Sequence, residues 1–166
     1  IEPFSIDGET LRISACAHTY AYFRFPQKRP ANGFVIKLKQ ETDGGMSWGP
    51  GALIRWPGGA TLRVGLRSDG LLQADILGRQ LLAGGHTAAD WIWLRARWLT
   101  RNGVIESSTD GEHYERIWSF EHGGIFNEIP AEFLVGKVPF NGEPADHLEP
   151  GMAGCCNIAF IETYGD

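Results

Sequence analysis

The sequence predicts an all-β domain, a two-sheet antiparallel sandwich of the jelly-roll kind, and three observations predict it. Gly makes up 22 of 166 residues and Pro 9, against a usual Gly share of roughly 7%, and both are spread along the chain rather than clustered. Apolar and polar residues alternate with period two in segment after segment, as antiparallel strands with one buried and one exposed face require. Helical signal is thin: residues 128–133 offer at most one turn, and Pro130 limits it. No repeat or linker divides the chain, so residues 1–166 read as one domain, long enough for a two-layer core.

The elements follow in order. Leu11, Ile13 and Ala15 alternate with Thr10, Arg12 and Ser14. Phe34, Ile36 and Leu38 alternate with Val35, Lys37 and Lys39, the latter reaching outward on basic stems. Ala52, Ile54 and Trp56 oppose Leu53 and Arg55, and Pro57-Gly58-Gly59 supplies a tight turn. Leu62, Val64 and Leu66 oppose Arg63, Gly65 and Arg67, with a stop at Ser68-Asp69-Gly70. Ile92, Leu94, Ala96 and Trp98 are the apolar side of the next strand. Residues 104–109 and 114–120 flank Asp110-Gly111 as a hairpin, and residues 133–138 and 157–163 complete the set. About nine strands, with rim loops at 40–51, 83–90, 121–132 and 139–154, describe a jelly roll.

Charge and cysteine content exclude several classes. A net charge of −5 leaves no basic excess to neutralise phosphates, which argues against nucleic acid as a partner. No apolar run is long enough to insert into a membrane, and no signal-peptide pattern occurs. The chain opens at Ile1 without a Met, as an excised module of a larger protein would. Three cysteines, Cys16, Cys155 and Cys156, are an odd number and build no disulfide framework. They read as small buried hydrophobes, or as a Cys16 bridge to Cys155 or Cys156 if the first and last strands are neighbours.

Several stretches, in their order and spacing, carry a family likeness. They are Ala17-His18-Thr19-Tyr20-Ala21-Tyr22, Phe34-Val35-Ile36-Lys37-Leu38, Ser47-Trp48-Gly49-Pro50-Gly51-Ala52-Leu53 and Leu62-Arg63-Val64-Gly65-Leu66-Arg67. Then come Trp93-Leu94-Arg95-Ala96-Arg97, Ser107-Ser108-Thr109-Asp110-Gly111 with Tyr114, and Phe133-Leu134-Val135-Gly136. From about residue 5 to 163 the chain resembles the concanavalin A-like lectin/glucanase superfamily, especially laminin-G-like jelly rolls attached to bacterial polysaccharide-degrading enzymes. The resemblance implies a concanavalin A-like sandwich that holds glycan on its concave sheet, in an extracellular or periplasmic setting. One departure is Ala159-Phe160-Ile161-Glu162-Thr163, where many relatives carry a Phe-Asp-Asp-like strand.

Relatives that hydrolyse glycans carry Glu-x-Asp-x-x-Glu, which sets two carboxyls about 5–5.5 Å apart on one strand face. Glu106 with Asp110, Glu112 with Glu115, and Glu128 with Glu132 all lack the two-residue offset that does this. Asp110 belongs to a turn, and no nucleophile elbow or phosphate loop occurs. The chain therefore leans away from enzymes. A hydrolase, or a lyase using His or Tyr with Arg, stays open, with Glu106, His113 and Glu115 as candidates. His86, His113, His122 and His147 fall in predicted loops, where solvation is the default.

Binding chemistry suits the residues better. Sugars offer C–H faces for indole rings and hydroxyl or acidic groups for planar multi-donor guanidiniums. Trp91, Trp93, Arg95 and Arg97 share the side of a strand opposite Ile92, Leu94, Ala96 and Trp98. With Arg55, Arg63 and Arg67 on adjacent strands in the same orientation, they would form an exposed Trp/Arg face suited to an anionic or hydroxyl-dense glycan. The alternative is structural: arginine stems pack across strands and pair with Glu106 or Glu115, while Trp91 plugs an end of the sandwich. Trp48, in a glycine-rich loop, is either a lid on the ligand or an anchor to the core. The loop with Asn141, Glu143, Asp146, His147 and Glu149 offers carboxylate and amide oxygens that make Ca2+ a candidate cofactor, with plain solvated acids as the other reading. The expected function is a non-catalytic carbohydrate-binding module for an oligo- or polysaccharide, joined to other modules. A structural or adhesive domain is the remaining alternative.

Overall fold

Alternation of apolar and polar side chains folds this chain into two stacked sheets, seen in a computed structural model that describes residues 4–16, 21–40, 48–67, 70–84, 90–138 and 153–165. The seven-stranded sheet runs β1 (Phe4–Asp7), β2 (Thr10–Cys16), β13 (Ala153–Tyr164), β4 (Gly33–Gln40), β9 (Ile92–Trp98), β10 (Asn102–Ser108), β11 (Glu115–Glu121). The six-stranded sheet runs β3 (Ala21–Phe25), β12 (Glu132–Lys137), β5 (Trp48–Arg55), β6 (Thr61–Arg67), β7 (Leu72–Ile76), β8 (Arg79–Ala83). Every pairing is antiparallel, so the expected jelly-roll sandwich is the observed architecture. Among the described residues no helix is long and apolar enough to cross a membrane.

The predicted apolar sets do face inward. Phe34, Ile36 and Leu38 of β4 and Ile92, Leu94, Ala96 and Trp98 of β9 meet Ala52, Ile54, Leu62, Val64 and Leu66 of β5 and β6 in one buried cluster. Four strands, β1, β3, β7 and β8, were not read from the sequence. The expected turn at 128–133 is instead a 3-10 turn at Ile125–Asn127. It lies on the rim segment between β11 and β12 and drives Phe126 into the core.

Phe126 is the centre of an aromatic plug at one end of the sandwich. Its ring stacks on Trp56 at 4.0 Å and on His122 at 4.8 Å, with Trp98 edge-on at 5.6 Å. The indole N–H groups are satisfied: Trp56 Nε1 donates to the Glu128 carbonyl and Trp98 Nε1 to the Phe126 carbonyl. His122, expected to be solvated, is buried. Its Nε2–H donates to the Leu99 carbonyl, and its Nδ1 accepts from the Gly124 and Phe126 amides, so the ring organises the turn that carries Phe126. Histidine in a loop reads as solvated only until the loop folds back over the core.

The first and last strands of the sequence reading are neighbours, as supposed for the cysteines, with Cys16 opposite Ala153, Cys155 opposite Ser14, and Cys156 opposite Ile13. The cysteine side chains lie outside what the structure describes. The plug gives a direct test. Phe126→Ala leaves a cavity that three packed rings cannot fill and is expected to cost about 3–5 kcal/mol in urea unfolding. A loss under about 1 kcal/mol would show that the plug contributes little to stability.

Candidate functional site

Two outward faces have to be compared, because each sheet has one. On the seven-stranded sheet, β9 presents Trp93, Arg95 and Arg97, with Trp91 just ahead of the strand. Strand β4 places Lys37 opposite Trp93, and β13 places Phe160 opposite Lys37. Strand β10 sets Glu106 opposite Arg95 and Ser108 opposite Trp93. Trp91, Trp93 and Arg95 are half-buried, and Arg97 and Phe160 are exposed, so this face meets solvent.

Glu106 organises its centre. Arg95 Nε donates to Glu106 Oε2 at 2.7 Å, and Arg97 grips both oxygens, Nε to Oε2 at 3.0 Å and Nη2 to Oε1 at 2.8 Å. The Arg95 guanidinium also stacks on Tyr114, Cζ at 3.7 Å from the ring centre. Burial by itself would raise the Glu106 carboxyl, but the bonds from Arg95 and Arg97 outweigh it and hold the group below the ordinary 4.5. Both arginines are thus internal counter-ions, which is the structural alternative raised from the sequence.

Trp93 is held from above by the hairpin turn. Asp110 Oδ1 accepts the Glu112 and His113 amides at 2.8 Å and the Ser108 hydroxyl at 2.8 Å. The His113 and Glu112 amides, with the His113 and Ser108 side chains, hold the Asp110 carboxyl far below the usual range. The turn brings Gly111, at φ +80°, onto the Trp93 indole, where a Cβ would sit 2.8 Å from Trp93 Cε2. His113 is exposed and tied to Asp110, away from Glu106. Of the three groups considered as an acid–base set, Glu106 pairs with Arg95 and Arg97, His113 pairs with Asp110, and Glu115 on β11 stands opposite Ser107.

The single Trp/Arg face expected from the sequence does not form. Arg55, Arg63 and Arg67 alternate with the core residues of β5 and β6, and so point outward from the six-stranded sheet, on the other side of the sandwich. Period two defines faces within a strand but not which sheet the strand joins. Arg55 bonds Glu132, which also holds Arg24 at 3.0 Å, so a second glutamate bridges two arginines there. Trp48 opens β5 opposite Arg67; its side chain lies outside what the structure describes. So do Asn141, Glu143, Asp146, His147 and Glu149 of the calcium-candidate loop, and His86. Among the described residues no cluster of three or more His, Cys, Asp or Glu could hold a metal ion.

The middle of the six-stranded sheet's outward face is buried. Leu53, Leu134 and Val138 pack with Tyr22, and Arg63, Gln73 and Asp75 are sunk beside them at 0%, 6% and 3% exposure. Gly136, Gly51 and Gly65 stand in register across β12, β5 and β6, next to Gln73 on β7. Side chains are excluded here, since a Cβ on Gly65 would meet the Pro50 carbonyl at 2.3 Å and Arg63 Nη1 at 3.2 Å. Arg63 donates from Nε to the Val138 carbonyl and from Nη2 to that of Gly49. Burial pushes the Asp75 carboxyl up, against the pull of the Gly78 amide and the Arg63 charge. Gln73 Oε1 is buried with no hydrogen-bond partner among the described residues. Sequence reasoning missed this set. Its signal was the alternation of Leu72, Ala74 and Ile76 with Gln73 and Asp75, closed by the Leu77-Gly78 turn at φ +53° and +84°.

Glu106 yields a pH-dependent prediction. A carboxyl depressed on folding stabilises the protein fully above its unfolded value, here 4.5, and loses that contribution as pH falls through the folded value. Glu106→Gln strips two guanidiniums of their counter-charge and is expected to cost about 2–3 kcal/mol at pH 7, less than a fully buried pair because Arg97 is half in solvent. The difference from wild type in urea unfolding should shrink at pH 3; a gap that stays constant with pH would contradict this account.

No family model and no curated protein matches the sequence. Solved structures do match. A functionally unknown protein from Saccharomyces cerevisiae superposes with a TM-score of 0.67 at 12% identity, over 99% of this chain and 92% of that one. A laminarinase from Flavobacterium sp. UMI-01 superposes with 0.70 at 9% identity, over 99% and 82%. The GH43 protein BlXynB from Bacillus licheniformis superposes with 0.66 at 13% identity, over 93% of this chain but only 32% of that one. What these proteins share with this chain is the fold, and the chain is a concanavalin A-like jelly roll.

Proposed function

We propose that this domain is a non-catalytic carbohydrate-binding module that lays a glycan along the outward face of its seven-stranded sheet. The observation that carries the reading is the pair Trp91 and Trp93, half-exposed on an open sheet face beside Arg95 and Arg97. Their rings suit the C–H faces of successive sugars, and the guanidinium N–H groups turned away from Glu106 suit hydroxyls. Glu106, the acid at the centre of this face, is committed to two arginines and makes a poor general acid or base. The glucanase-type neighbours support a polysaccharide as the partner. BlXynB, in which this fold matches about a third of the chain, supports a place beside other modules. An extracellular or periplasmic setting goes with a polysaccharide partner.

The test is affinity electrophoresis and calorimetry against a broad glycan panel. Trp93→Phe and Trp91→Ala are each expected to weaken retention about tenfold, or about 1.4 kcal/mol, with thermal unfolding little changed. A folded wild-type protein that ignores every glycan would leave the structural or adhesive reading in its place.

A second reading, a glycoside hydrolase or polysaccharide lyase, draws on one observation: Asp75, its carboxyl raised by burial, beside Arg63 on the other sheet. It requires release of reducing ends, or of an unsaturated product, that Asp75→Asn abolishes. Absence of turnover by wild type on the same panel removes it.

A further inference from the structure

We infer that the glycan held on this face is acidic, a carboxylated or sulfated polysaccharide, and that Lys37 and Lys39 are the residues that recognise its charge. The inference rests on the binding face proposed above and adds the chemical class of its ligand. Arg95 and Arg97 share the one carboxylate of Glu106, which offsets one of their two charges. Lys37 and Lys39 of the neighbouring strand β4 bring further cations to this face. Lys37 Nζ lies 5.4 Å from the Trp91 ring centre and 5.3 Å from that of Trp93, and Lys39 Nζ lies 6.0 Å from Trp91. Among the described residues neither ammonium has a carboxylate within ion-pair distance.

An ammonium set between two indoles is held by the ring quadrupoles and partly stripped of water. It keeps N–H donors free to point at solvent, and it is a compact charge suited to a carboxylate or sulfate oxygen. The strand rise puts Lys37 and Lys39 about 6.7 Å apart, with Trp93 opposite Lys37 on the adjacent strand and Trp91 just ahead of that strand. Rings and charges therefore alternate along one track, which matches a polymer whose sugar rings and acidic groups recur together. The four central strands β13, β4, β9 and β10 present Lys37, Lys39, Arg95 and Arg97 outward against Glu106 and Glu162. Four cations less two acids leave this face net positive on a chain of net charge −5. A neutral glycan would gain nothing from that excess.

The experiment compares polygalacturonate and a sulfated galactan with laminarin and lichenan, and with single-stranded oligothymidylate as a polyanion that is not a sugar, over a range of salt. The expected result is at least about tenfold tighter binding of an acidic glycan than of either neutral one, weakening as salt rises. Lys37→Gln/Lys39→Gln should lower acidic-glycan affinity about tenfold and flatten the salt dependence, while Lys37→Arg/Lys39→Arg restores both. Equal, salt-insensitive binding of laminarin or lichenan would overturn this inference and leave the binding module standing. Oligothymidylate bound as tightly as the acidic glycans would overturn it in favour of a general polyanion face. No glycan binding at all would overturn both.

Discussion

Each strand of a sandwich must bury every second side chain between the sheets, and that constraint decides what is left to meet the solvent. Here it leaves two outward faces of opposite character. One is open, with indoles and cations in alternation; the other is sunk, with a guanidinium, an amide and a carboxyl at the edge of a strip of glycines. The aromatic plug of Trp56, Trp98, Phe126 and His122 closes one end and leaves neither face needed for the main core.

On the open face a single carboxylate sets the chemistry. Glu106 collects Arg95 and Arg97, and Tyr114 covers the Arg95 guanidinium, so the pair of arginines is half offset by one shared carboxylate. In the proposed binding mode, Trp91 and Trp93 then supply shape, and Lys37 and Lys39, beside those rings, supply charge. Trp93 is held in place by the hairpin turn, because Gly111 lies on its ring and Asp110 ties that turn together through backbone amides. Sequence neighbours that read as a turn and a binding residue are one mechanical unit.

On the sunk face, buried polar groups usually carry partners, and the Gln73 oxygen, which has none among the described residues, is an exception. Asp75 beside it is raised by burial while Arg63 opposes that shift. The similarity to glucanase-type jelly rolls at 8–13% identity carries the fold and no chemistry. The binding proposed for one sheet and the buried Asp75–Arg63 set on the other lie on opposite sides of the sandwich.

Much of the architecture was legible in the sequence. The alternation of Phe34, Ile36 and Leu38, of Leu62, Val64 and Leu66, and of Ile92, Leu94, Ala96 and Trp98 determined which side of each strand is buried, because period two is a local property of extended backbone. The Asp110-Gly111 turn was equally local. Tertiary structure alone decided which strands share a sheet, and so parted Arg55, Arg63 and Arg67 from Arg95 and Arg97, since strand order depends on pairings between segments far apart in the chain. It also decided that Glu106 pairs with two arginines, that Lys37 sits between two tryptophans, and that His122 lies in the core. Each of these is a cross-strand or loop-to-core contact, and no spacing along a single segment encodes it.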